Sequence, residues 1–386
     1  MSIEPADRRG SAPRIEPPAE SIPLARPGVA DPARVAADVE AILRSGVLTN
    51  GPYVRRFEQE SARYLGVRHC VAVSSCTSGL MLVLRAAELS GDVIVPSFTF
   101  AATAHAVAWN GLRPVFADID RRTLTLSPDA VEQAIGMHTS AILATHIYGT
   151  PCDVESLDRI AAKNGLRLFF DAAHAFGSVH AGNRVGGFGA AEVFSLSPTK
   201  VVVAAEGGVI ATNDDLLAER CRIGRDYGNP GDYDCRFIGL NARMSELHAA
   251  TALASLVDLD ERLEERNRLA IAYTEALSGI PGVFFPEVPA GDRSTYKDYS
   301  VLIDADAFGL DADAVAEGLR GQGIETRRYY SPPVHAMRAY RQPGAEAWTL
   351  PVTGWAAARV LTLPLWVGMT EAQVNRVVGA IGRIRP

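Results

Sequence analysis

The stretch from Leu168 to Gly208, LFFDAAHAFGSVHAGNRVGGFGAAEVFSLSPTKVVVAAEGG, decides the fold. Asp171 closes an apolar run, LRLFFD, that reads as a buried parallel strand bounded by Gly165 before it and a Gly-Ser turn after it. At the carboxyl end of such a strand a carboxylate faces the crevice in which α/β proteins bind ligands. Asp171 also suits a purely local role, as the N-cap of a helix through AAHAFG. Lys200 follows EVFSLSPT and precedes VVVAA, where one short β-rich run ends and another begins. Among small and apolar neighbours the ammonium form is disfavoured, and the amine becomes a better nucleophile. A solvated turn lysine is the alternative.

One cofactor explains both residues. Pyridoxal 5′-phosphate (PLP) enzymes need a lysine that binds the cofactor covalently and, commonly, an acid partner for the pyridine nitrogen. With Asp171 ionised, the ring nitrogen stays protonated and the ring draws electrons.

Upstream, PVFADID and AILATHIYG read as strands with DAVEQAIG as a helix between them, and VIVPSFTFAATAHAV as a buried strand followed by a helix. This βα alternation predicts a mostly parallel mixed sheet between helices. Val71 to Val73 form a short strand, and SSCTSGL then leads into the helix LMLVLRAAEL. A hydroxyl-rich turn entering a helix offers N–H groups to an anion, which suits the cofactor phosphate and points to Thr77 and Ser78. Asp31 caps a helix through ARVAADVEAILRSG that ends near Gly46, and a Gly-Pro turn opens a second helix in GPYVRRFEQESARYLG. Residues 1–22, rich in proline and mixed charge, read as a disordered extension.

Downstream, a strand, turn and helix are expected in ATNDDLLAERCRIGRDYG, and a long amphipathic helix from about Ser255 to Ser278. That helix leads from a large domain, 23–262, into a smaller α/β domain, 263–386. There SVLIDA and TRRYY read as strands, DADAVAEGLRGQG as a helix, AGDRSTYKD as a polar linker and MTEAQVNRVVGAIGRI as a closing helix. Arg327, Arg328, Tyr329, Tyr330 and His335 form a basic and aromatic cluster suited to a nucleotide diphosphate or a substrate carboxylate, or else an exposed edge strand. His248 reads as a packing or surface residue.

The composition, 47% hydrophobic and 22% charged, is that of a soluble globular enzyme. A net charge of −7 argues against general affinity for nucleic acid. Cys70, Cys76, Cys152, Cys221 and Cys235 lack C-x-x-C spacing, and neither a signal peptide nor a run long enough to span a membrane is visible. A cytoplasmic, reduced, metal-free protein is expected, without membrane partners.

DAAHAFGS, FSLSPTK and EGGVIATND resemble the nucleotide-sugar aminotransferases of the DegT/StrS type, PLP enzymes of the aspartate-aminotransferase fold (fold type I). The resemblance extends through GPYVRRFE, YLGVRHCVAVSSCTSGL, RPVFADID, HIYGTPCDVESL, NARMSELHAA and LTLPLW, in family order, over about residues 23 to 386. It implies that Lys200 carries PLP, that Asp171 supports the ring nitrogen and that Phe100 stacks on the ring. It further implies that His174 bonds the phenolic oxygen, that Ser195 joins Thr77 and Ser78 on the phosphate, and that Asn241, assisted by Arg243, reaches the phosphate of the other subunit of a homodimer. Glu206 opens the Glu-Gly-Gly turn and reads either as structural or as a support behind the site residues. The chain has Cys76 where the family usually carries glycine and Ala242 where tyrosine is common. The implied reaction is a transamination from an amino acid, L-glutamate, to a nucleotide-linked keto-sugar in deoxyaminosugar biosynthesis, with a dTDP-4-keto-6-deoxyhexose preferred as acceptor. Arg327, Tyr329 and His335 are candidates for contacting that substrate. A ketone on a cyclitol and a non-catalytic, regulatory PLP-binding role are the alternatives.

Overall fold

A computed structural model describes residues 21–341 and 348–385. Helices α1 (Pro32–Ser45) and α2 (Pro52–Leu65) both start at proline, whose missing N–H costs nothing at that position, and end on Gly46 and Gly66 in the left-handed region. Asp31 caps α1 by accepting the Arg34 N–H. The cap of α2 comes from far along the chain. The Glu246 carboxylate, 1% exposed, accepts the N–H groups of Gly51, Tyr53 and Val54, each at 2.9 Å. A Cβ on Gly51 would lie 2.6 Å from Glu246 Oε2, so only glycine permits this approach. Glu246→Ala strands three donors in a dry site and should cost about 2–4 kcal/mol of stability. Urea unfolding measures it, and a loss under about 1 kcal/mol would contradict the assignment.

From His69 the chain alternates through β1 (His69–Val73), α3 (Cys76–Ala86), β2 (Asp92–Pro96), α4 (Ala102–Trp109), β3 (Arg113–Ala117), α5 (Pro128–Ala134), β4 (Thr139–Thr145), α6 (Val154–Asn164) and β5 (Arg167–Asp171). A two-stranded ribbon, β6 (Val179–His180) and β7 (Asn183–Arg184), precedes β8 (Ala191–Ser195) and β9 (Gly208–Thr212). The seven-stranded sheet has the order β1-β9-β8-β5-β4-β2-β3. Pairs β2·β3, β2·β4, β4·β5 and β5·β8 are parallel, and β9 alone runs against its two neighbours. Strands β2, β8 and β9 are buried at every residue, as sheets covered on both faces require. The carboxyl ends of β1, β2, β4, β5 and β8 therefore share one edge, where a ligand crevice is expected.

Beyond the sheet come α7 (Asp215–Gly224), α8 (Glu246–Leu256) and α9 (Leu259–Leu277). Leu259 and Leu263 of α9 pack in a core with α2, whereas Leu269, Tyr273 and Leu277 belong to a second core. That second core is built by β10 (Val283–Phe284), β11 (Tyr299–Ile303), α10 (Ala305–Phe308), α11 (Ala312–Gly321), β12 (Val360–Leu363) and α13 (Glu371–Ile384), with β10-β11-β12 antiparallel, while α12 (Pro351–Arg359) packs Ala356 and Ala357 against Phe98, Ile147 and Tyr148.

Three expected elements differ. VVVAA is no strand: Val201 to Ala204 are buried in a folded-back loop whose donors go to Ser255 Oγ (from Val203 N) and Leu196 O (from Ala204 N). The long helix from Ser255 is broken: α8 ends at Leu256, Val257 is extended and Asp258 is left-handed at φ 53° before α9 starts. TRRYY makes only one bridge, Arg327 to Thr362; the chain then turns, Ser331 N–H bonding Arg328 O, into two prolines that have no N–H for a ladder. Of the extension expected to be disordered, residues 1–20 lie outside the described residues. Ile22 is buried and exchanges backbone bonds with Gly323 and Glu325. Among the described residues no helix is long and apolar enough to cross a membrane.

Candidate active site

Asp171 ends β5 at the shared edge, 4% exposed. Its Oδ2 accepts the Thr103 hydroxyl at 2.6 Å and its Oδ1 the Ala173 N–H at 3.1 Å. Because Thr103 donates to Asp171, it accepts from Thr99 (2.9 Å), which in turn accepts from Thr145 (3.2 Å). Burial pushes the Asp171 carboxyl above its ordinary range, opposed by Thr103, the Ala173 N–H, Lys200 and His146. The acid bonds the next turn as a cap would, yet no helix follows it. Cys76 Sγ lies 4.0 Å from Oδ1; burial holds this thiol well above its usual range, hence protonated.

Beneath Asp171 lies a pair that sequence reasoning missed. His146 donates its backbone N–H to Asp171 O (3.1 Å), accepts the Cys152 N–H at Nδ1 (3.0 Å), and so presents Nε2–H to Glu192 Oε1 at 3.0 Å. Both side chains are fully buried and the imidazole stacks on Phe170, centroids 4.6 Å apart. The available signal was the single acid inside the apolar strand AEVFS.

Lys200 sits in a turn closed by its N–H on Ser197 O, with its amine drawn inward. Burial, then the neighbouring Lys297, lowers its pKa to about 8, opposed by Asp298, Cys76 and Asp171. Lys297 and Asp298 form a buried ion pair at 2.7 Å. Arg266 fixes the segment that carries it, bonding the carbonyls of Thr295, Tyr296 and Lys297. From sequence the pair falls in AGDRSTYKD, which reads as a polar linker.

His174 accepts the Tyr148 N–H at Nδ1 (3.2 Å), which puts its proton on Nε2. Burial, with Lys200 and Lys297, holds its pKa well below the ordinary value, so it is a neutral donor. At the start of α3, Ser75 and Ser78 form a capping box. The Ser78 hydroxyl is thereby committed to Ser75, accepting its N–H and donating to its carbonyl. Thr77 makes no side-chain bond among the described residues. Gly208 lies so close that a Cβ there would be 2.6 Å from Cys76 N. Ser195 ends β8 with Ser197 Oγ at 3.4 Å.

Phe100 is 62% exposed, tilted against the buried Tyr330 at 6.4 Å. Tyr330 also meets Phe98 edge-on and feels the charges of Asp298 and Asp171. Tyr329 has its carbonyl bonded by Tyr148 OH and its ring under Lys297 Nζ. His335 bonds Ser97 Oγ at 2.6 Å, and Arg327 is exposed on Glu325. Among the described residues neither has a hydrogen bond or ion pair with Lys200 or Asp171. Asn241 is exposed, its Oδ1 accepting from Arg243, beside the end of β1, where Ser74 N–H bonds Ala242 O. Ala242 is fully buried and Glu206 is exposed.

These residues fit PLP on structural grounds. A buried acid lacks a cation of its own, a neutral histidine offers one N–H, and an exposed phenylalanine has one face unstacked. A helix start with an unbonded threonine hydroxyl offers donors to a phosphate.

The chain is similar to known proteins along most of its length. The chain is 33% identical to the dTDP-4-amino-4,6-dideoxy-D-glucose transaminase of Escherichia coli over 361 residues, covering 93% of this chain and 97% of that enzyme. The structure of DesI, determined in the presence of its TDP-sugar product, is 41% identical with a TM-score of 0.89, covering 94% of this chain and 92% of DesI. PseC of Helicobacter pylori, an aminotransferase of pseudoaminic acid biosynthesis, is 26% identical with a TM-score of 0.88, over 95% and 99% of the two chains. The sheet is thus that of the fold type I enzymes. With the model of the DegT/DnrJ/EryC1/StrS aminotransferase family matching residues 31–382, the chain belongs to that family of PLP-dependent enzymes.

Proposed function

We propose that this chain carries PLP on Lys200 and transfers an amino group from L-glutamate to a nucleotide-linked keto-sugar, with a dTDP-4-keto-6-deoxyhexose as acceptor. The observation that carries the reading is the convergence of a buried acid, a neutral histidine donor and a lysine of lowered pKa at one edge of the sheet. The sugar part rests on the relatives, one a dTDP-aminosugar transaminase and one crystallised with a TDP-sugar.

Bound here, PLP supplies the electron sink that lets nitrogen leave one carbon skeleton and join another. Asp171 would hold the ring nitrogen protonated, with Thr103 keeping the carboxylate aimed. His174 Nε2–H would be the donor to the phenolic oxygen, and Phe100 would stack on the ring. Thr77, Ser195 and the N–H groups opening α3 take the phosphate; Ser78 contributes through the cap that shapes the turn. Asn241, exposed in one chain, serves the phosphate of a second copy in a homodimer.

Lys200 Nζ moves the proton, taking it as a neutral amine. Since its pKa is lowered to about 8, the neutral form grows as pH rises through that value. The rate of the donor half-reaction should climb about tenfold per pH unit on the acid side and level off above about pH 8. A single-turnover pH profile tests this, and a flat profile between pH 6 and 8 would remove Lys200 as the base. The acceptor is tested by mass spectrometry of the product formed from dTDP-4-keto-6-deoxyglucose and L-glutamate. Amination of a ketocyclitol without amination of the sugar would replace the acceptor.

A further inference from the structure

Two fully buried titratable side chains, His146 and Glu192, face each other below the site, where an apolar pair of similar volume would fill the space without desolvating a charge. Among the described residues, every hydrogen-bond partner of the Glu192 carboxylate is a donor. His146 Nε2–H reaches Oε1 at 3.0 Å, the Phe188 N–H reaches Oε2 at 3.4 Å, and the Gly186 N–H also bonds the group. None of them can take a proton from the acid, so the geometry keeps it a carboxylate although burial pushes its pKa up. That carboxylate fixes the His146 proton on Nε2 and leaves Nδ1 as an acceptor.

The acceptor closes a turn. Nδ1 takes the Cys152 N–H at 3.0 Å, and the His146 carbonyl takes the Gly149 N–H at 3.2 Å. Between these two bonds Tyr148 sits at φ 57°, a left-handed conformation that a residue other than glycine holds only where its surroundings fix it. So held, Tyr148 gives its N–H to His174 Nδ1 at 3.2 Å. A backbone N–H can only donate, and His174 must therefore keep its own proton on Nε2. The tautomer of one histidine sets the backbone that sets the tautomer of the other.

We propose that His146 and Glu192 are a positioning pair: Glu192 fixes the His146 tautomer, the His146 ring holds the turn 147–152, and the turn holds His174 with its proton on Nε2. Neither residue touches the reacting atoms. The bearing of the pair on the rate rests on His174 being the donor to the phenolic oxygen of PLP; the coupling of the two tautomers does not.

The test uses the full-length protein, apo and PLP-loaded, labelled with the heavy nitrogen isotope. Long-range proton–nitrogen correlation spectra read which ring nitrogen carries the proton, and His174→Gln identifies the His174 signals. The wild type should show His174 protonated on Nε2 alone. Glu192→Gln keeps an oxygen for the His146 N–H and should keep that tautomer. Glu192→Leu should give His174 in both tautomers. Its kcat should fall by about tenfold, short of the roughly 10²–10³ of losing a preorganised donor outright, with KM for L-glutamate within about twofold. The double variant His146→Phe/Glu192→Leu leaves no unpaired buried charge and should fold at least as stably as Glu192→Leu while still releasing His174. A wild-type His174 protonated on Nδ1, or a wild-type His174 tautomer or kcat in either folded leucine variant, overturns the proposal. Coupled tautomers in a protein that converts no amino acid would support the pair while defeating the aminotransfer reading.

Discussion

Lys200→Ala is expected to lower kcat by at least about 10³-fold, because one side chain is asked both to hold the cofactor and to move the proton. The loss should be chemical and not conformational. The amine is buried at a cost that its lowered pKa records, and removing it relieves that cost. The variant should therefore fold with an apo melting temperature no lower than that of the wild type. It should still bind PLP reversibly through the phosphate contacts at α3 and Ser195 and through Asp171, but without the visible band of the covalently held cofactor. Lys200→Arg keeps the charge and the length yet cannot attach PLP, and should be equally inactive. Steady-state turnover near the wild-type level in either variant would remove Lys200 from its role.

Asp171→Asn should cost about 10²–10³ in kcat, the scale of removing one preorganised electrostatic partner. The amide oxygen still accepts the Ala173 N–H at the Oδ1 position, and the NH2 at the other position can donate to Thr103, whose hydroxyl then turns to donate to Thr99, so the local fold survives. What it lacks is the negative charge that keeps the ring nitrogen protonated. The wild-type carboxyl is pushed up by burial and lacks a paired cation, so bound PLP should relieve it and raise the melting temperature. The asparagine variant should show a smaller rise at the same PLP concentration. Thr103→Val separates aim from charge: it removes one hydrogen bond and leaves the carboxylate, so its loss in kcat should be smaller. An asparagine variant with wild-type kcat would contradict the pairing of Asp171 with the ring nitrogen.

Much of this was legible where chemistry and local pattern coincide. LRLFFD became β5 with Asp171 at its end because an all-apolar run closed by an acid has few other uses in a covered parallel sheet. Asp31 with Gly46, and Pro52 with Gly66, bounded α1 and α2 through the demands of helix ends. Where the reading failed, partners distant in sequence decided the outcome. VVVAA has the composition of a strand, but composition reports burial and not a ladder partner, and here Ser255 takes the Val203 N–H. The break at Asp258 leaves the helical period almost undisturbed, so periodicity ran across it. Lys297 and Asp298 look like a solvated charge pair until Arg266 pins their segment beside Lys200. His146 follows the end of β4 and Glu192 lies on β8, and only the order β8-β5-β4 brings them together under Asp171.

The most direct test of the central claim is the absorption spectrum of the purified protein reconstituted with PLP, recorded before and after L-glutamate is added. A visible band that is absent in Lys200→Ala and bleaches to the near ultraviolet with L-glutamate is the predicted result. A protein that binds PLP without that band, or whose band no amino acid changes, would contradict it.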